Sequence, residues 1–212
     1  MKSQYRIEQK VGYHMESKKL LEALHTAEKL KDATRHCYTS GGRHESVAEH
    51  SYRAALMAYW VADEFPEADM DKVIKMLLIH DLGECFTGDI PTFLKTKADE
   101  QKEEELLYAW VQTLPMPYRE DMLSLYREMA ERETMEAKIY KALDNLEAVI
   151  SHNESDISTW EDNEYELNLV YGNDKVAFSE YLMKLRDTIR QETLEKMEKE
   201  NSNHKMEDAK HE

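Results

Sequence analysis

Val73-Ile74-Lys75-Met76-Leu77-Leu78-Ile79-His80-Asp81 is an apolar run that closes on two adjacent ionisable residues. Its apolar positions recur at helical steps, which predicts a helix with one buried face. A histidine and an aspartate delivered at the end of such a helix are costly to bury unless their charges are paired or hold a metal. His50 upstream and Asp144 downstream add a second imidazole and a second carboxylate, each on its own predicted helix. Taken singly, each of these residues is most simply structural, since a histidine on a partly buried helix face usually just makes hydrogen bonds. Taken together, His50, His80, Asp81 and Asp144 form one divalent metal site. The mixed nitrogen and oxygen set suits Mn²⁺, Co²⁺, Fe²⁺, Zn²⁺ or Ni²⁺ better than Mg²⁺, which prefers oxygen alone.

Working outward, only six Gly and four Pro interrupt the chain, and apolar residues recur at three- and four-residue steps, so the fold class is all-α. Leu20, Leu21, Leu24, Ala27 and Leu30 line one face of a first helix. Tyr38 to Arg43 reads as a polar loop, after which Ser46-Val47-Ala48-Glu49 is a capping box that starts the helix carrying His50. Ala54, Met57, Val61 and Phe65 share the face of His50. Gly83, Gly88 and Pro91 predict an irregular segment over Leu82 to Lys95, beside the metal ligands. Helices follow over about Ala98–Thr113, Pro117–Ala130 and Thr134–His152, the last bearing Asp144. The expected organisation is a single domain over 1–200, with a core at about 20–152 and a helical extension at about 174–200. A charged tail, 201–212, is expected to be disordered.

The chain of 212 residues is 41% hydrophobic, enough for one well-cored domain. Its 28 Lys and Arg against 44 Asp and Glu give a net charge of −16, which disfavours nucleic acids and anionic membrane surfaces as partners. A small phosphorylated ligand stays open wherever basic residues gather locally. Two cysteines, Cys37 and Cys85, make no disulfide framework, and the expected location is the cytoplasm.

Three segments carry a resemblance: Glu45-Ser46-Val47-Ala48-Glu49-His50-Ser51, His80-Asp81-Leu82-Gly83-Glu84-Cys85-Phe86-Thr87-Gly88-Asp89-Ile90-Pro91, and Lys141-Ala142-Leu143-Asp144-Asn145-Leu146-Glu147. In order and local spacing they resemble the HD superfamily of metal-dependent phosphohydrolases, and within it the bacterial 5′-deoxynucleotidases and related HD-domain-containing proteins. The resemblance spans roughly Leu20 to His152. It implies an HD-domain helical bundle around a mononuclear site, because no histidine lies between Asp81 and Asp144 to hold a second ion.

By matched position, Glu84 corresponds to the acid that activates or orients the attacking water and Asp89 to a second acid. Arg35 corresponds to an arginine that contacts substrate. His36 stands where the deoxynucleotidases have a tryptophan associated with 2′-deoxy preference, so weaker discrimination against ribonucleotides is expected here. The implied activity is release of phosphate from nucleoside 5′-monophosphates, deoxy forms first, and a homodimer is compatible with it. The alternatives are a catalytically silent metal- or nucleotide-binding module and a phosphatase for another small phosphomonoester.

Overall fold

The computed structural model describes residues 14–211. The helices are α1 (Ser17–Ala27), α2 (Val47–Trp60), α3 (Met70–Ile79), α4 (Glu84–Thr87), α5 (Lys97–Val111), α6 (Tyr118–Glu131), α7 (Met135–Glu154), α8 (Glu164–Val170), α9 (Asn173–Val176) and α10 (Glu180–His211). Strands β1 (Thr34–Tyr38) and β2 (His44–Ser46) pair antiparallel between α1 and α2.

The centre of the bundle is the mutual packing of α2, α3 and α7. Val47, Ala54 and Ala58 from α2, Val73, Met76 and Leu77 from α3, and Ile139, Leu143 and Leu146 from α7 are fully buried there. Each large aliphatic side chain so buried contributes about 1.5–3 kcal/mol. All four predicted metal ligands lie on these three helices or, for His80 and Asp81, just past the end of α3. The apolar packing that holds the bundle together therefore also fixes the spacing of the site.

Three features depart from the sequence expectation. The stretch read as a loop is the turn of a hairpin, in which Thr39 N–H donates to Arg43 O at 2.7 Å and Gly42 adopts φ +81°. Leu20, Leu21 and Leu24 stay 45–54% exposed, because α1 is anchored at its end by Leu30 and its leucine stripe lies outside the core. The last helix runs to His211, well past the point where its apolar pattern ends.

α2 starts where the sequence places it. Ser46 Oγ accepts from Glu49 N–H at 3.3 Å and the Glu49 carboxylate takes Ser46 N–H at 2.9 Å, the reciprocal bonds of a capping box. Since His50 sits in the first turns of this helix, the cap also sets its position. Ser46→Ala should destabilise the protein by about 0.5–2 kcal/mol, read from the midpoint of a urea unfolding curve.

Candidate metal centre

Four donor atoms converge. His50 Nε2 lies 3.2 Å from His80 Nε2 and 3.0 Å from Asp144 Oδ1, and His80 Nε2 lies 3.4 Å from the same oxygen. Asp81 Oδ2 is 3.0 Å from His80 Nε2 and 3.6 Å from His50 Nε2. His50, His80 and Asp144 form a group with metal-ligand spacing, and Asp81 borders it through the two imidazoles.

The far side of each imidazole is held as a ligand's would be. His50 Nδ1 is bonded to Glu147, and His80 Nδ1 lies 2.8 Å from Leu77 O. Such partners fix ring orientation and tautomer, leaving the opposite nitrogen free to coordinate. These donors fit a divalent ion.

The electrostatics agree with a site made for a cation. Burial opposes ionisation of Asp144, but Lys141 Nζ at 2.7 Å and the two imidazoles hold its carboxyl well below the usual range. Asp81, although buried, is drawn down to about 2 by His80. Burial acts against protonation of His80 too, yet Asp81 and Asp144 raise it well above an ordinary histidine. A bound ion would take over the role of these protons, so metal binding and proton release are coupled.

Glu147 was not among the sequence candidates, yet it organises the site. It is fully buried and accepts from Ser151 Oγ at 3.0 Å, with Arg35 Nη1 and Arg53 Nε each 3.3 Å away. Glu45, His50 and Glu147 also have metal-ligand spacing. There Arg35 Nη1 already supplies the cation, 3.5 Å from Glu45 and 3.3 Å from Glu147. Glu147 follows Asp144 by one helical turn, a spacing visible in the sequence; only the fold shows that it faces His50.

Glu84 is buried and its Oε2 has no hydrogen-bond partner among the described residues. Burial pushes its carboxyl up to about 10, with Asp81, Asp89 and Glu103 adding repulsion. Asp89 is raised by burial as well, against the pull of Arg35. Gly88, at φ +74°, turns the chain between α4 and Asp89 in a conformation that side-chain-bearing residues rarely adopt. Lys95 pairs with Glu103 at 2.7 Å.

Beside the cluster opens a cleft between β1, the 89–93 segment, α7 and α8. Arg35, His36 and Asp89 all line it, and Arg35 also braces Glu147. His152, whose protonation is suppressed by burial, and the buried Glu164 complete the wall opposite.

A family model described as HD domain matches residues 27–186. The chain belongs to the HD domain family. Among curated relatives, human 5′-deoxynucleotidase HDDC2 is 32% identical over 142 residues, covering 65% of this chain and 69% of the relative. The bovine protein of that name is 31% identical over the same length, covering 65% of this chain and 68% of its own. Among solved structures, a predicted metal-dependent phosphohydrolase from Magnetospirillum magnetotacticum MS-1 superposes with TM-score 0.67 at 25% identity, over 84% of this chain and 96% of that one. The cyanophage S-2L HD phosphohydrolase DatZ, solved with dA and one catalytic Zn²⁺, shares the HD fold with TM-score 0.53 at 20% identity, over 82% and 96% of the two chains.

Two outcomes follow from this geometry. Asp81→Ala should strip the ion, falling from about one per chain to far less by elemental analysis, since a donor and a balancing charge are lost together. An unchanged metal content would take Asp81 out of the site. In chelator-treated protein, the folded-state pKa of Glu84 lies above its unfolded value, so its contribution to stability is complete below about 4.5 and drains away as pH rises towards about 10. Glu84→Gln, neutral throughout, should therefore gain in Tm over the parent as pH goes from 5 to 9. A Tm difference independent of pH would contradict the burial of that charge.

Proposed function

We propose that this HD protein is a metal-dependent phosphohydrolase that releases phosphate from nucleoside 5′-monophosphates, deoxy forms first. The observation that carries the reading is the chain of contacts from the donor cluster to the cleft. Arg35 lines the cleft and its Nη1 lies 3.3 Å from Glu147, the carboxylate that holds His50 Nδ1. The curated relatives named 5′-deoxynucleotidase support the substrate class.

His50, His80, Asp81 and Asp144 would hold one divalent transition ion, of the Mn, Co, Fe, Zn or Ni kind. When bound, such an ion lowers the pKa of water and offsets charge on phosphoryl oxygens. The protein's own groups do the rest. Glu84, whose burial raises its affinity for a proton, would act from its carboxylate form once the charge of a bound ion favoured that form: it takes a proton from the attacking water as the new phosphorus–oxygen bond forms and passes that proton to the departing nucleoside 5′-oxygen as its bond to phosphorus breaks. Arg35 stays protonated despite its burial, because Glu147 and Glu45 stand beside it, and as part of the cleft wall it offers a planar cationic donor to the phosphoryl group. Asp89 orients the same water or the protonated Glu84.

No helix among the described residues is long and apolar enough to cross a membrane. The reading extends to a cytoplasmic homodimer, with the exposed leucines of α1 as an apolar surface that a second copy would cover.

The test is phosphate release by metal-stripped protein on a nucleotide panel, with each ion added back in turn. Glu84→Ala should keep the ion and the fold and lose turnover by roughly two or more orders of magnitude. Full activity in that variant would return Glu84 to a merely buried acid. No release by the parent with any ion would favour a silent binding module.

A further inference from the structure

The cleft wall built by α8 carries polar atoms that neither metal binding nor the hydrolytic step uses. Glu164, Leu167, Asn168 and Tyr171 all line the cleft, and their spacing marks one face of α8. Glu164 and Asn168 are only 2% and 3% exposed. Glu164 Oε2 accepts the backbone N–H of Glu161 at 2.7 Å, which fixes the carboxylate. Its Oε1 lies 3.4 Å from His36 Nε2 and 3.5 Å from His152 Nδ1. His36 Nε2 and Asn168 Nδ2 are buried without a hydrogen-bond partner among the described residues. Buried polar atoms without partners are rare in folded proteins, and two along one cleft point to a ligand that supplies what is missing.

The chemistry of that ligand can be narrowed. A phosphate is repelled by the Glu164 carboxylate. A base edge carries its donor and acceptor on different atoms. A hydroxyl both donates and accepts at a single oxygen. An oxygen at ordinary hydrogen-bond length from both Glu164 Oε1 and His36 Nε2 closes a triangle on their 3.4 Å separation. Position agrees, because His36 directly follows Arg35 in β1, and the group next to the phosphate in a nucleotide is the sugar. We propose that Glu164 and His36 bind a sugar hydroxyl of the substrate, Glu164 Oε1 accepting its hydrogen and His36 Nε2 donating to its oxygen. His152 Nδ1 stands 3.5 Å from the same carboxylate oxygen, and α8 thereby sets sugar specificity. This rests on the nucleotidase reading above.

The experiment compares kcat/KM of the metal-loaded protein on AMP, dAMP, 3′-deoxy-AMP and 2′,3′-dideoxy-AMP. The dideoxy nucleotide should fall at least about tenfold below the best hydroxylated one, since a site built to bond a hydroxyl discriminates against the analogue lacking it. Glu164→Ala should bring that ratio to within about twofold, mainly through KM, and Glu164→Gln, which keeps an acceptor, should recover part of it. Equal use of dideoxy and hydroxylated nucleotides by the parent overturns the proposal without help from any variant. So does a Glu164→Ala ratio equal to the parent's. Absence of phosphate release from every nucleotide defeats the nucleotidase reading itself, a result distinct from active but indifferent hydrolysis.

Discussion

The contact between Glu147 and His50 is the one on which the site's architecture depends. A carboxylate with no solvent exposure, set in the middle of α7, is stable only because Arg35, Arg53, Ser151 and the imidazole surround it. Removing one member of such a buried set costs about 3–5 kcal/mol, because the remaining charge is left uncompensated. The same set ties α7 to α2 through His50 and Arg53 and to β1 through Arg35. It aims His50 Nε2 at Asp144 and His80, so the interaction that joins the elements also orients the donor.

A second consequence concerns charge. Asp81, Glu84, Asp89 and Asp144 crowd one region of a chain that is already strongly acidic. Lys141 neutralises Asp144, and Arg35 acts on Asp89 from the cleft side. Lys95 acts on Glu84 too, but burial and the repulsion of Asp81, Asp89 and Glu103 outweigh it. The protein thus keeps one carboxyl energetically unsettled beside a group of donors, which is the arrangement expected of a group that must exchange a proton during a reaction.

How much of this was legible in the chain depended on distance. The capping box at Ser46, the end of α3 at His80 and the long helix around Asp144 are local patterns, and the helical repeat carries them. The hairpin was missed because its strands are 5 and 3 residues long, too short for alternation to stand out between two helices. Glu147 was missed for another reason: a buried glutamate looks like any other in sequence until its partners from β1 and α2 are known. The leucines of α1 misled in the opposite sense, since an apolar stripe says which face is sticky and not whether the fold covers it.

The C-terminal segments show the same limit most clearly, since nothing in their sequence advertised a role. α8 has only 7 residues and could not hold its place alone. Two arginines of α10 hold it. Arg186, fully buried, donates from Nη2 to Asn168 O at 2.8 Å and from Nε to Tyr171 O at 2.9 Å. Arg190 Nε donates to Leu169 O at 3.0 Å. These carbonyls belong to the last turn of α8 and its exit, where a helix lacks internal donors and its dipole favours a cation. The clamp fixes the rotation of α8 about its axis, and that rotation decides whether Glu164 and Asn168 face the cleft or turn away from it. Residues far from the donor cluster therefore determine what the cleft presents.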